Sequence, residues 1–176
     1  MTKLLFMLFV GLIGIKPTVI VKYNNTKKNT AYIDYNKTQK LKWTDFKIYN
    51  GKRFEAALTA TQISYTINII DEVMYVDVSC VFDKKNSNVV AANKNEYILN
   101  HEQRHFDIAY LFAMKFIRRL QNDPNLTVDK ISAIYEDIYV DWIAYQKKYD
   151  LETNNSQSKE NQALWDKKIN QELDDL

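Results

Sequence analysis

The only two histidines of the chain lie four residues apart, with a glutamate directly after the first, in His101-Glu102-Gln103-Arg104-His105. In an α-helix, residues i and i+4 share one face, so both imidazoles can bind a single metal ion. The glutamate can then accept a proton from a water molecule that the metal polarises. This HExxH pattern predicts a zinc site with His101 and His105 as ligands and Glu102 as general base.

A catalytic zinc ion takes three protein ligands and keeps one position for water. Because the chain has no third histidine and no nearby cysteine, the third ligand should be a carboxylate. Asp107 is excluded, since it points about 200° away from His105 at roughly 100° per residue. The remaining candidates lie downstream and are Glu136, Asp137, Asp141, Asp150 and Glu152.

Three further expectations concern the surroundings of the motif. Tyr149 lies next to Asp150, and its hydroxyl is a candidate for stabilising an oxyanion. Helical spacing turns Arg104 away from both histidines, which predicts a surface salt bridge for it. The strand expected over residues 74–82 could lie along the cleft as an edge that pairs with an extended substrate.

Helical periodicity positions the motif. Apolar residues recur at helical spacing over residues 95–120, and Asn93 with Glu96 resembles a capping box before this helix. Thr127 can cap a second helix that ends near Asp150, and Ser158 can cap a third. We therefore expect three helices in the C-terminal half, with HExxH on the first.

The N-terminal half is rich in strand signals. Residues 74–82 alternate between apolar and polar side chains, and residues 31–35, 41–46 and 57–70 are also β-prone, with a turn at Asp71-Glu72. Strands followed by helices predict an α+β fold, with an antiparallel or mixed sheet packed on the helical half.

Composition narrows the function classes. Hydrophobic residues make up 46% and charged residues 26% of the chain, which is typical of a globular domain. The net charge is only +2, without a basic stripe, so we expect no nucleic-acid partner. Cys80 is the single cysteine, which excludes an internal disulfide, and its place in the alternating strand predicts a buried thiol.

The N-terminus resembles an export signal. Lys3 precedes an apolar run over residues 4–15, which is shorter than the roughly 20 residues that span a bilayer. We expect a signal peptide or signal anchor at 1–16, an N-terminal strand and linker at 17–34, and the main domain at 35–176. The protein should then be periplasmic or extracellular. Inner-membrane anchoring by residues 4–15 and a buried first strand are the alternatives.

Several segments together resemble the bacterial "domain of unknown function 922" proteins, which are predicted zinc-dependent metallopeptidases of the zincin type. The matching segments are Leu41-x-Trp43-x-Asp45-Phe46, residues 56–65, Phe82-Asp83-Lys84 with Ser87, Leu99 to Ala109, Tyr149-Asp150-x-x-Thr153 and Gln162-x-x-Trp165. The resemblance covers roughly residues 35–176 and includes the complete HExxH motif.

The resemblance implies a zincin-like fold, His101 and His105 as ligands, and Glu102 as general base. It also places a second signature at Tyr149-Asp150-x-x-Thr153, whose third ligand is either the aspartate or a histidine further along. We expect Asp150 as the third ligand, with Glu152 as the alternative. Family members often carry a histidine where this chain has Asn155. We therefore expect a zinc peptidase that acts on peptides or proteins. The alternatives are a non-catalytic envelope module on the same fold and a membrane-associated structural protein.

Overall fold

The computed structural model describes residues 18–25, 30–51 and 55–176. These residues form seven strands and three long helices, besides two short 3-10 helices. The elements are β1 (Thr18–Tyr23), β2 (Tyr32–Asp34), β3 (Lys47–Tyr49), β4 (Ala57–Leu58), β5 (Thr61–Ile70), β6 (Val73–Asp83), β7 (Asn88–Val90), α1 (Glu96–Gln121), α2 (Val128–Glu152) and α3 (Lys159–Asp174). The predicted α+β class, with mixed sheets before three helices, is confirmed.

The larger sheet is built around β6. Strand β5 pairs antiparallel with its whole length, while β1 pairs parallel with residues 73–78 and β2 antiparallel with residues 81–83. Asp71 and Glu72 join β5 to β6 with φ of 48° and 64°, as a two-residue hairpin turn requires. The prediction that the 74–82 strand is an edge available to substrate was wrong, because both sides of β6 are already paired.

The smaller sheet has the order β3-β7-β4, with β3 parallel and β4 antiparallel to β7. The strand predicted over 57–70 is therefore divided between the two sheets. The division falls at Ala60, whose backbone N–H donates to Ser87 Oγ at 2.9 Å rather than to a neighbouring strand. Strand β4 contacts α1 and lies beside the helix that carries HExxH.

The hydrophobic core lies between β6 and α1. Met74, Val76, Val78 and Cys80 alternate along β6, and all four are buried, so the predicted burial of the Cys80 thiol is confirmed. Full burial of a valine or methionine side chain contributes about 1.5–3 kcal/mol to the stability of the folded state. Helix α1 also packs on α2 and α3, which makes it the central element and fixes where its motif lies.

The N-terminal caps of α2 and α3 are the predicted residues, whereas the cap of α1 is not. Thr127 and Ser158 cap α2 and α3 as predicted, by accepting from the N–H groups of Lys130 and Asn161. Helix α1, however, is capped by Asn95, whose Oδ1 accepts from the Ile98 N–H at 2.9 Å. Asn93 instead lies in a preceding 3-10 helix. Asparagine is a favoured N-cap residue at either position, so the sequence alone did not distinguish Asn93 from Asn95.

Residues 41–46 form a 3-10 helix over Trp43–Asp45 rather than the predicted strand. Asp45 Oδ2 accepts from the Lys42 N–H at 2.9 Å, and this local bond closes the turn. The turn brings Trp43 and Phe46 into edge contact at 5.1 Å, since residues i and i+3 align in this helix type.

Strand β1 confirms the strand expected within residues 17–34. The predicted leader at residues 1–16 lies outside the described residues. Within the ranges that the structure describes, no helix has both the length and the apolarity to cross a bilayer.

Candidate metal centre

Helix α1 presents the motif from its buried second turn. His101 is 3% and Glu102 4% exposed, and both face the same cleft as the less buried His105. The Nε2 atoms of the two histidines lie 3.3 Å apart. The i, i+4 spacing therefore brings the two imidazoles together, as expected.

Asp150 completes this group from the last turn of α2. Its Oδ1 lies 3.3 Å from His101 Nε2 and 3.0 Å from His105 Nε2. Ligands held at 2.0–2.2 Å from a tetrahedral zinc ion are separated from each other by roughly 3.3–3.6 Å. Among the described residues, these three are brought together as a possible metal-binding group. Two of their separations equal the lower end of this range, and the His105–Asp150 separation of 3.0 Å is about 0.3 Å shorter, so the donor set fits zinc once these two side chains move slightly apart.

The other carboxylates lie elsewhere. Glu152 Oε2 accepts from Trp165 Nε1 at 2.9 Å, which directs the side chain away from the histidines. Asp137 pairs with Arg119, and Glu136 and Asp141 are exposed on α2. Asp107 is fully buried on the opposite face of α1. Of the predicted third ligands, only Asp150 is placed beside both histidines.

Two glutamines orient the imidazoles. Gln162 Oε1 lies 2.9 Å from His101 Nδ1, and Gln146 Oε1 lies 2.6 Å from His105 Nδ1. The Nε2 atoms of these amides donate to Asp166 Oδ1 and to the His105 carbonyl, which fixes the amide orientation. Each histidine Nδ1 must therefore carry a proton and donate it, so the Nε2 atom of each neutral imidazole has the lone pair that a metal requires.

Glu102 has an unpartnered carboxylate oxygen. Its Oε2 is buried and has no hydrogen-bond partner among the described residues. A buried carboxylate oxygen without a partner is unfavourable unless a water, a metal or a ligand approaches it. This oxygen belongs to the residue that the motif assigns as general base.

His105 and Asp150 perturb each other strongly. Burial opposes protonation of His105, but the hydrogen bond and the negative charge of Asp150 outweigh it and raise the pKa of His105 to about 9. Burial likewise opposes ionisation of Asp150, but hydrogen bonds with both histidines hold its pKa well below the usual range. A shared cation, either a proton or a metal ion, is thus favoured at this point.

Tyr149 lies behind the histidines and is fully buried. Its ring stacks on His101 with centroids 4.7 Å apart, and its hydroxyl donates to Gln162 Oε1 at 2.9 Å. Burial raises the pKa of the Tyr149 hydroxyl well above its ordinary value. These contacts support a positioning role. The catalytic role stays a prediction, and Tyr149 is not among the residues that line the cleft.

The cleft above the centre has a volume of about 400 Å³. One wall is formed by residues 55–61, which include β4, and the other by Trp142, Ile143 and Gln146 of α2. Asn155 and Ser156, in the turn after α2, complete the lining. The candidate ligands and Glu102 are therefore reachable from one open groove.

Arg104 does turn away from the histidines and does form salt bridges, as predicted, but the expected surface location was wrong because the side chain is buried. It is 8% exposed and donates to Asp107 at 2.9 Å, Asp166 at 2.8 Å and Asn170 at 2.7 Å. Helix α3 covers this face of α1, and the buried guanidinium is paired with two carboxylates, as burial requires.

The amide partners were not anticipated from the sequence. Gln146 precedes Asp150 by four residues, so helical spacing alone could have placed it on the same face of α2. Gln162 lies in the Gln162-x-x-Trp165 segment, but its contact with His101 depends on how α3 packs against α1, which no local pattern encodes.

No family profile, no curated protein and no solved structure matches this chain. The resemblance to the family named above therefore stays a prediction.

Proposed function

We propose that the chain is a zinc-dependent peptidase whose residues 35–176 adopt a zincin-like arrangement. One observation carries the proposal. His101 Nε2, His105 Nε2 and Asp150 Oδ1 converge within 3.3 Å of one another below a cleft that also contains the unpartnered Glu102 carboxylate. Three ligands and one adjacent base are the protein groups that metal-assisted hydrolysis requires.

In this proposal, His101, His105 and Asp150 hold the metal. When bound, zinc would polarise a carbonyl group and make a water molecule more acidic. Glu102 accepts the proton of the attacking water on its free oxygen and passes it to the leaving amine. Gln146 and Gln162 keep the two imidazoles oriented, so that neither ligand must reorganise during the reaction.

Strand β4 supports a peptide as the substrate. The Val90 N–H donates to the Ala56 carbonyl at 2.9 Å, while Ala57 lies opposite Val89. Because hydrogen-bonded pairs alternate along an antiparallel ladder, the backbone groups of Ala57 point away from β7. No strand pairs with that side of β4 in the described part of the chain. An extended peptide can add there, in place of the role expected for β6.

Metal analysis together with Glu102→Gln tests the proposal. We expect one zinc ion per chain in both proteins, and at least a 100-fold lower rate of peptide hydrolysis in Glu102→Gln, since a general base contributes about 10²–10⁴-fold. Glu136→Gln, an exposed carboxylate of α2, is the matched control and should keep full activity.

Absence of stoichiometric zinc, or an unchanged rate in Glu102→Gln, would exclude the proposed mechanism. Stoichiometric zinc without hydrolysis of any peptide in a library would instead favour the non-catalytic module. Export through residues 1–16 is a separate part of the proposal. Mass spectrometry of the N-terminus of secreted protein tests it.

A further inference from the structure

The turn that follows α2 has an unusual backbone. Asn154, Asn155 and Ser156 adopt φ of 49°, 48° and 67°, three consecutive left-handed residues without a glycine. Residues with a side chain disfavour this region, and asparagine tolerates it best among them. Backbone strain of this kind occurs often at functional sites, where surrounding contacts maintain it.

Hydrogen bonds fix this turn to the end of α2. The Asn155 N–H donates to the Asp150 carbonyl at 2.8 Å, and the Ser158 N–H donates to the Thr153 carbonyl at 2.9 Å. The Thr153 hydroxyl in turn donates to the Tyr149 carbonyl at 2.7 Å. Asn155 is therefore held at a fixed position relative to Asp150, the candidate third ligand.

Asn155 also has an unused side chain. It lines the cleft, is only half-buried, and its amide makes no hydrogen bond with any described residue. The neighbouring amide of Gln146 is held by His105, to which both its oxygen and its nitrogen bond. On the α2 side of the cleft, Asn155 thus offers two N–H donors and one carbonyl acceptor to a ligand.

An extended peptide on β4 needs such a group. Its backbone N–H and C=O groups point alternately to either side, so β4 can pair only half of them. Those that face away from β4 toward α2 lose water when the peptide enters the cleft and require a new partner. Asn155 lines the same cleft as β4 and belongs to the turn that follows α2, which makes its amide a candidate for this partner.

We propose that Asn155 is a substrate-positioning residue whose amide binds the peptide backbone on the side opposite β4. The inference rests on the proposed function for the presence of a peptide in the cleft. It does not require that the peptide be cleaved. The left-handed backbone of residues 154–156 serves to bring this amide to the cleft while Asp150 stays in the metal site.

The test compares two hydroxamates on zinc-loaded protein. Acetohydroxamate reports binding at the metal alone, whereas an alanine–leucine hexapeptide hydroxamate also reports the peptide contacts. Asn155→Gly removes the amide while glycine preserves the left-handed backbone. We expect this variant to bind the peptide hydroxamate about 3- to 10-fold more weakly, which corresponds to the loss of one hydrogen bond. Its affinity for acetohydroxamate should be unchanged.

Asn154→Gly is the matched control. Asn154 has the same backbone conformation but is exposed and does not line the cleft, so this variant should bind both probes as the unaltered protein does. Thermal unfolding of both glycine variants checks that each is folded.

The inference is overturned if Asn155→Gly binds the peptide hydroxamate as tightly as the unaltered protein does, or if its affinity for both probes falls equally. It is also overturned if the unaltered protein binds the peptide hydroxamate no more tightly than acetohydroxamate. Failure of the proposed function gives a different result. In that case the peptide probe binds and depends on Asn155, but no peptide is hydrolysed.

Discussion

Asp150 and Glu152 are both carboxylates in the last turn of α2, yet only one reaches the histidines. Residues that are two positions apart on a helix differ in direction by about 200°, so the side chains of Asp150 and Glu152 leave α2 on nearly opposite sides. Asp150 Oδ1 lies within 3.3 Å of both imidazole Nε2 atoms, whereas Glu152 Oε2 accepts from Trp165. Direction, rather than charge, therefore distinguishes the two candidates.

Asp150→Asn tests this distinction. We expect it to weaken zinc binding by more than about 100-fold, because even loss of a partner of a metal ligand typically weakens binding 10- to 100-fold. Glu152→Gln, with the neighbouring carboxylate removed, should bind zinc normally. Competition with a chromophoric chelator measures both affinities. Tight binding by Asp150→Asn would show that another group supplies the third ligand.

Asn155 occupies the position where the resembling family often has a histidine. In the proposed zinc site, His101, His105 and Asp150 would already supply the three protein ligands of a catalytic centre. A fourth protein ligand would close the position that water needs. A neutral asparagine at the cleft is therefore compatible with an open, catalytic site.

At the scale of elements, α3 supports the motif from behind. Gln162, Asp166 and Asn170 recur at intervals of four residues and face α1, where they contact His101 and Arg104. Gln162 is buried, Asp166 half-buried and Asn170 exposed, so burial makes the hydrogen bonds of Gln162 with His101 and Asp166 the most important in this row. The orientation of His101 thus depends on a helix that follows it by about 60 residues.

Gln162→Leu tests that dependence. The change removes the acceptor of His101 Nδ1 and the nearer of the two acceptors of the Tyr149 hydroxyl, and we expect zinc affinity to fall about 10- to 100-fold. Gln171→Leu, at an exposed position of the same helix, should change neither zinc affinity nor unfolding temperature appreciably. Unfolding curves of metal-free protein separate a loss of His101 orientation from a general loss of stability. Unchanged zinc affinity in folded Gln162→Leu would contradict the positioning role.

Elements with strong local signals could be predicted from the sequence. Period-two alternation identified β6, and Thr127 and Ser158 identified the starts of α2 and α3. The HExxH spacing predicted that the two imidazoles converge, because residues i and i+4 share one face of a helix. These features depend on residues that are neighbours in the chain.

Features that depend on distant packing could not be predicted. The pairing of β6 on both sides requires β1, β2 and β5, none of which marks its partner in the sequence. Burial of Arg104 requires α3 to cover it. The roles of Gln146 and Gln162 likewise arise only once three helices pack together.

For the whole molecule, the candidate centre joins helices that are otherwise separate in the chain. Two ligands come from α1 and one from α2, so a bound metal connects the two longest helices. A ligand that binds only the folded state stabilises it in proportion to its affinity and concentration. Zinc should therefore act on the stability of the whole fold, in addition to its proposed chemical role.

The stability of metal-free protein and the increment that zinc adds to it should accordingly change with pH in opposite directions. In metal-free protein, Asp150 raises the pKa of His105 from an ordinary value near 6.5 to about 9. The resulting stabilisation is complete below about pH 6.5 and is lost as the pH rises through about 9. It amounts to at most about 3 kcal/mol. Zinc must displace this proton, so its apparent affinity should rise about tenfold per pH unit across the same window.

Thermal unfolding between pH 6 and pH 9.5, with and without zinc, measures both trends. The unfolding temperature of metal-free protein should fall with increasing pH, and the increment produced by zinc should grow. Asp150→Asn should flatten the metal-free curve, because it removes the charge that raises the pKa of His105. The depressed pKa of Asp150 predicts no further loss in this window, since its contribution is lost only when the pH falls toward its folded value. A metal-free unfolding temperature independent of pH would show that His105 and Asp150 do not share a proton in the folded protein.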